Sequence, residues 1–385
     1  MPSRLVADQN VRVANLTATC PPQSWTAPTA TGPIGTKLSL PGSRSLTARA
    51  LVISALAAGP STLRRPRRDQ DTLSLATGLR AMGTHVSTVD DERWLIRPYA
   101  LHGPARIDVG GYGPAMCFLP PVAGLAEGTV TFDGARGVPA RAVSPLVAAL
   151  RSIGVAIEAA PGGVWPLTVR GTGRVTGKEV VVDASASSRF VSALLLSAAR
   201  FDHGLVVRHT GAPMPSAAHV RMTVHMLRAA GAGIDDTTAN VWTVQPGRLA
   251  GRCWDIEPDL AGALPFFAAA LVTGGSVTLT GWPHASLQPV DRLRELLTEM
   301  GGTMARCTDG LMVRGTGSVH GIDADLGDVS ELTPVFAALA ALADSPSRLR
   351  GVAHIRDHAT DRLTALARQL TALGAEVTER SEERR

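Results

Sequence analysis

Two short stretches hold hydroxyls and guanidinium groups at a spacing suited to anion binding. Pro41-Gly42-Ser43-Arg44-Ser45-Leu46-Thr47-Ala48-Arg49 sets Gly, two Ser and two Arg where a strand passes into a helix. Backbone N–H groups at a helix start, hydroxyls and guanidinium forks together favour phosphate or carboxylate. Ala184-Ser185-Ala186-Ser187-Ser188-Arg189-Phe190 repeats the arrangement ahead of an apolar run. A third stretch carries Asp325, Asp328 and Glu331 into another apolar run, where a desolvated carboxylate can serve as acid or base. His358-Ala359-Thr360-Asp361-Arg362 adds an imidazole and an Arg before Leu363 to Leu373. Taken singly, each stretch also reads as an ordinary helix cap or exposed loop. The histidines lack metal-ligand spacing: His354 and His358 flank a loop, and no His-Glu-x-x-His occurs. No metal is expected.

The elements that must position these groups recur along the chain. A phrase of the form Leu-x-x-apolar-Gly, followed by a β-prone run, ends at Gly83, Gly154, Gly231, Gly301 and Gly374, with separations of 71, 77, 70 and 73 residues. Each reads as a helix closing on a left-handed Gly and entering a strand. Between these phrases lie helices rich in Ala and Leu, each followed by an alternating strand. Ala193 to Ala199, Ala268 to Ala270 and Ala337 to Ala343 are small or apolar all round, so these helices are expected inside a domain. Five units and a strand-like N-terminal fragment, Lys37 to Leu40, suggest a sixfold arrangement in two halves, the last unit unfinished. The anion-type stretches and the Glu331 stretch stand at equivalent helix starts, so they converge on a cleft if the halves face each other.

Length and composition limit the alternatives. A chain of 385 residues that is 45% hydrophobic exceeds what one core organises, so two domains are expected. Its apolar runs break well before the ~18 residues a membrane span needs, and Met1 to Cys20 lacks the apolar segment of a secretory signal. A net charge of +5, spread without a Lys/Arg block or an aromatic-basic stripe, fits small anionic substrates and not nucleic acid. Four dispersed cysteines, Cys20, Cys117, Cys253 and Cys307, point to a reducing cytoplasm.

Five ordered motifs resemble the 5-enolpyruvylshikimate-3-phosphate synthase family in its high-GC Gram-positive form, from about Trp25 onward. They are Leu40-Pro41-Gly42-Ser43-Arg44-Ser45 with Arg49, Asp183-Ala184-Ser185-Ala186-Ser187-Ser188, Ile256-Glu257-Pro258-Asp259, Glu331-Leu332-Thr333-Pro334 and Thr360-Asp361-Arg362-Leu363. The resemblance implies an α/β fold, a two-domain inverse α/β prism of βαβαββ units. Residues 25–41 with 257–385 would form one domain, 42–256 the other, after a lead over 1–24. It also implies transfer of the carboxyvinyl group of phosphoenolpyruvate to the 5-hydroxyl of shikimate 3-phosphate, without metal or organic cofactor, by a monomer; separately, the sheet edge left by the unfinished unit offers a route to a homodimer.

Carried over position by position, Ser45, Arg49, Ser187, Ser188 and Ser216 match ligands of the ring and its phosphate. Arg189 stands where relatives carry Gln. Glu331 matches the carboxylate that handles the hydroxyl proton, and His358 falls where relatives have Lys or His. The phosphoenolpyruvate side is less intact. Arg44 replaces Lys, Arg141 and Arg362 match anion-binding arginines, and Gly113 survives from a conserved turn. Yet Pro114 removes an N–H from that turn, Cys117 and Ala359 replace an Arg and a Glu, and the family's later Asp-His-Arg motif and Lys have no counterpart. Charged hydrogen bonds contribute roughly 1.5–3 kcal/mol each, so four losses weaken a transition state by roughly 6–12 kcal/mol. Three activities therefore stay open: the family transfer, elimination of water or phosphate from a shikimate-type ring, and ligand binding without turnover.

Overall fold

The computed structural model describes residues 29–90, 92–111, 113–134, 143–160, 164–357 and 361–380. Arg141 and His358, and with them Cys20, Tyr112 and Ala359, lie outside the described residues. The chain divides into two compact units, Met1–Thr31 and Gly32–Arg385. In the first, only residues 29–31 are described, and they carry no helix or strand. All that follows concerns the second.

Ten α-helices run along its described residues: α1 (Arg44–Ala55), α2 (Gln70–Ala81), α3 (Pro114–Gly124), α4 (Ser144–Ser152), α5 (Arg189–Ala198), α6 (Ala218–Ala229), α7 (Leu260–Thr273), α8 (Val290–Glu299), α9 (Thr333–Ala340) and α10 (Arg362–Ala372). Local chemistry sets their ends. The side chains of Ser43, Asp69, Asp259 and Asp361 cap α1, α2, α7 and α10 by accepting backbone N–H groups of the first turn. The five predicted glycines end α2, α4, α6, α8 and α10 with φ of 103°, 90°, 92°, 93° and 98°. At each, the Gly N–H donates to the carbonyl three residues back, and the next N–H donates to the carbonyl five residues back. This is one Schellman-type closure used five times, and only Gly enters it without steric cost.

The strands form four sheets of one design. Ala105–Gly110 pairs parallel with Glu127–Gly134, which pairs antiparallel with Val164–Thr172, and that strand with Ala156–Ala160. Glu179–Asp183, Leu205–Thr210, Val241–Val244 and Ile234–Asp235 repeat the order. The other two sheets exchange their first strands. Cys253–Asp255 joins Ser61–Arg64, Arg93–Arg97 and His85–Asp90, whereas Gly35–Leu38 joins Ser276–Thr280, Gly310–Arg314 and Thr303–Cys307. The N-terminal strand is therefore the first strand of the fourth sheet and not a fragment of a separate unit. A fifth sheet pairs only Asp323–Asp325 with Arg348–Arg350, so the fifth unit is shorter among the described residues than its sequence phrase suggests.

The exchange sends the chain across twice, and the two crossings lie together. Ser43 N–H donates to Glu257 O at 2.7 Å, and Asp259 N–H to Pro41 O at 3.1 Å. Gly42 sits here with no room for a Cβ, because Arg65 O and Ile256 fill that space. On either side the buried apolar residues form two clusters, one spanning Leu46 to Ile256 and one Leu260 to Ile355. In the first, α3 and α5 are buried over almost their whole length, with Leu194, Leu195 and Leu196 at 0% exposure. Each such Leu is worth about 1.5–3 kcal/mol. In the second, the helices depart from expectation: Phe266 of α7 and Leu342, just past the end of α9, are 40% and 65% exposed. One four-stranded and one two-stranded sheet cannot wrap these helices as three sheets wrap α1, α3 and α5.

Candidate active site

The starts of α1 and α5, the loop into α6 and the turn before α9 bring the ring-side candidates together. Arg49, on the second turn of α1, is 3% exposed. Its Nε donates to Thr223 Oγ1 at 2.7 Å and its Nη1 to Ser45 O at 2.9 Å. Its Nη2 donates to His219 O at 3.0 Å and Ser192 Oγ at 3.3 Å. Beneath it, 5.6 Å away, lies the Phe118 ring of α3. Every acceptor is neutral, and among the described residues no carboxylate pairs with Arg49. Burial, followed by the neighbouring Arg189, pulls its pKa from 12.5 to about 9. It stays cationic at neutral pH, a buried charge that an anionic ligand would complete.

Arg189 opens α5, and Ser192, one turn further on the same face, is the residue that touches Arg49. The charge of Arg189 acts on Arg49, Cys117, His219 and Glu331. Ser187 Oγ accepts Arg189 N–H at 3.3 Å. Ser188 is 4% exposed, and its side chain makes no capping hydrogen bond to the first turn of α5. Burial of Cys117 on α3 raises its thiol to about 11, so it offers no anion and no nucleophile here.

Ser216 adopts φ of 50°, a left-handed conformation uncommon outside Gly, and such residues persist where the surroundings over-determine them. Its N–H donates to Gly327 O at 2.8 Å, its Oγ lies 3.1 Å from Ser330 Oγ, and the same hydroxyl donates to Glu331 Oε2 at 3.5 Å. Ser330 Oγ in turn meets His354 Nε2 at 2.8 Å. Glu331 keeps a third of its side chain exposed, yet withdrawal from water raises its pKa above the ordinary carboxylate value. The nearby Asp259 adds to the rise, while backbone and Ser216 hydrogen bonds and the Arg189 charge oppose it. His219 Nε2 lies 3.9 Å from Glu331 Oε1, and burial together with Arg49 and Arg189 lowers the imidazole to about 3. The imidazole is therefore neutral and the pair is a contact between a neutral ring and a carboxyl group.

The other anion candidates are disposed differently. Arg44 N–H donates to Asp259 Oδ2 at 3.1 Å, its Nε to Asp69 Oδ2 at 2.7 Å, and its Nη1 lies 3.2 Å from Asp71 Oδ2. These carboxylates hold its pKa above the ordinary value against burial, which acts first and in the opposite direction. Gly113 caps α3 beside Asp71, with Pro114 at the first helical position. Arg362, exposed at the start of α10, has no hydrogen bond or ion pair to the other candidates among the described residues; its neighbour Asp361 pairs with Arg356. A groove of about 490 Å³ along α2, lined by Arg68, Asp69, Ser74, Thr77, Arg106 and Asp108, shares Asp69 with this side and excludes Arg49 and Glu331.

Sequence reasoning missed His219, Thr223, Ser192, Ser330 and His354 as parts of the site. A signal existed for some: Ser216, His219 and Thr223 fall at helical spacing on one face, as do Arg189 and Ser192. Ser330 and His354 carried none.

Fold and site define a repeat-built α/β protein in which hydroxyls, guanidinium groups and one carboxyl gather where two cores meet. The model of one family, EPSP synthase (3-phosphoshikimate 1-carboxyvinyltransferase), matches residues 28–384. The chain belongs to that family and has the enolpyruvyl transferase fold. Among solved structures it is similar to EPSP synthase from Acinetobacter baumannii, with TM-score 0.75 and 21% identity over 91% of this chain and 81% of that one. A second structure of that enzyme gives TM-score 0.72, 21% identity, and coverage of 89% and 80%. The enolpyruvyl transferase NikO from Streptomyces tendae follows with TM-score 0.64, 17% identity, and coverage of 83% and 75%. At these identities the structural likeness concerns the fold.

Proposed function

We propose that the protein is an enolpyruvyl transferase acting on a shikimate-type ring, residues 42–256 and residues 25–41 with 257–385 forming the two domains that bind it between them. Arg49, Ser45, Ser187, Ser188, Arg189 and Ser216 hold the ring and its phosphate. Glu331 takes the proton of the reacting hydroxyl as its oxygen bonds to C2 of phosphoenolpyruvate, and the C2–O bond to phosphate breaks. Arg44, with Arg141 and Arg362, would receive the second anion. The observation that carries this reading is the Ser216 contact to Glu331, which sets a carboxyl of raised pKa beside the buried, uncompensated Arg49 cluster.

A second reading, elimination of water or phosphate from the ring, draws on the opposite side of the site. Arg44 is engaged by three carboxylates and Pro114 supplies no N–H, which leaves less positive potential for phosphoenolpyruvate than for the ring. Phosphorus and proton NMR of shikimate 3-phosphate with the protein, with and without phosphoenolpyruvate, separates the two. Free phosphate and a new enol-ether vinyl signal only with phosphoenolpyruvate support transfer. Ring changes without it support elimination, and silence in both tubes would reject both in favour of ligand binding alone.

A further inference from the structure

The strands Glu179–Asp183 and Leu205–Thr210 run parallel and side by side, their ladder closing on Val182 with His209 and Asp183 with Thr210. Beyond it the chain leaves the sheet twice, through residues 184–188 into α5, with Ser187 and Ser188, and through residues 211–217 into α6, with Ser216. Among the described residues no backbone–backbone hydrogen bond joins these two exits. The side chain of His209, 8% exposed, bridges them instead. Its Nε2 lies 3.0 Å from Ala212 O, and the Ala184 N–H donates to its Nδ1 at 3.2 Å. A carbonyl only accepts, so Nε2 carries the proton; an N–H only donates, so Nδ1 carries none. Val182 O, 3.4 Å from Nδ1, would be served only by a proton there, and that proton would set Ala184 N–H against a second donor. Ser185 Oγ also donates to Ala212 O, at 3.0 Å, and Gly211, at φ 108°, leaves no room for a Cβ against Ser185 Oγ and Asp183 Oδ1.

We propose that His209 is a positioning residue: with its proton on Nε2, the imidazole ties the two strand exits together and fixes the separation of Ser187 and Ser188 from Ser216. The ring is a rigid plane, so both of its bonds are kept only at one spacing of the exits. Ala184 is fully buried, and without Nδ1 its N–H is left unpaired unless the segment shifts. Ser187 would shift with it, because its N–H donates to Ala184 O at 3.0 Å, and so would the start of α5, because Arg189 N–H donates to Ser187 Oγ. On the other exit, Ala212 precedes Ser216 by four residues, and the left-handed backbone of Ser216 persists only while its surroundings hold it. His209 therefore acts through the residues assigned to the ring and has no contact of its own with the reacting atoms. The inference rests on the ring-binding reading.

Two measurements on the full chain test this. Long-range proton–nitrogen NMR of protein labelled at the histidine nitrogens, with the His209 signals assigned by their loss in His209→Gln, is expected to show a bare Nδ1 and a protonated Nε2. A proton on Nδ1 overturns the proposal. Calorimetric titration with shikimate 3-phosphate then compares wild type with His209→Leu, His209→Asn and His209→Gln. Leu offers neither bond and Asn is too short to span both partners, so each is expected to lose about tenfold or more in affinity, whereas Gln, which can accept from Ala184 and donate to Ala212, stays within about threefold of wild type. Urea midpoints are read alongside, since a side chain that only fills the core would lower the midpoint and leave the affinity of the folded protein unchanged. Equal affinities in wild type and His209→Leu overturn the proposal whatever the midpoint does, and if His209→Leu does not fold, equal affinities in His209→Asn and His209→Gln overturn it. A bare Nδ1 with faster amide exchange at Ala184 in His209→Asn, in a protein whose wild type binds no shikimate 3-phosphate, upholds the tie between the exits and rejects the ring reading instead.

Discussion

Ser216 and Glu331, 115 residues apart, meet where the two cores touch, with the Ser216 hydroxyl donating to the Glu331 carboxyl at 3.5 Å. The contact joins a residue in a strained left-handed conformation to a carboxyl displaced toward its acid form. Both departures from ordinary behaviour lie on one bond, which is where functional sites concentrate them.

Replacing Glu331 by Gln keeps the size and hydrogen-bonding reach of the side chain and removes its proton-accepting role. Turnover is expected to fall by about 10²–10⁴-fold, the range of general acid–base contributions. Affinity for the ring ligand should be unchanged. Steady-state rates together with calorimetry test this, and near-normal turnover would remove Glu331 from the chemistry. Because its pKa is raised in the folded protein, the wild-type chain loses stability relative to Glu331→Gln as pH rises through that pKa. Urea midpoints at acid and neutral pH read the difference.

His219 has the opposite linkage for its own reason. Its imidazole is lowered from 6.5 to about 3, so between those values the unfolded chain binds the proton more readily. The stability associated with neutral His219 is present above pH 6.5 and is lost progressively as pH falls toward 3. His219→Gln should flatten that part of the stability-versus-pH curve. Parallel curves would show that another group controls the acid side.

Arg49→Met is expected to separate stability from binding. It removes a desolvated charge that lacks a counter-ion and forfeits four hydrogen bonds to neutral acceptors, so the terms oppose and the net change should stay within about 2 kcal/mol. Anion binding, however, should be lost. Denaturant melts with and without phosphate check both halves, and a variant still stabilised by phosphate would move the anion elsewhere.

The cysteines offer a chemical check on burial. Cys117 is buried with its thiol raised to about 11, whereas Cys253 is exposed. Alkylation of the folded protein at pH 8, read by peptide mass, should label Cys253 and spare Cys117 until denaturant is added. Labelling of both at equal rates would contradict the packing of α3 against α5.

Much of the fold is written in local chemistry. The five Leu-x-x-apolar-Gly phrases need only a helix end and a residue free to take positive φ, so their spacing reveals the repeat, and all five glycines take up that conformation. The Ser and Arg stretches likewise mark their helix starts from composition alone, and the motif resemblance identifies the family. What no local signal carries is the partnership between distant segments. The exchange of first strands between the Ser61–Arg64 sheet and the Ser276–Thr280 sheet depends on pairing between residues 191 and 241 positions apart, Leu63 with Trp254 and Thr36 with Val277 being brought into register. The engagement of Arg44 by Asp69, Asp71 and Asp259, the partial exposure of α7 and α9, and the lack of a carboxylate partner for Arg49 among the described residues also follow from three-dimensional neighbours. A charge reads the same in sequence whether it is paired or alone; only packing decides which, because desolvation and Coulomb energy depend on distance in space and not along the chain.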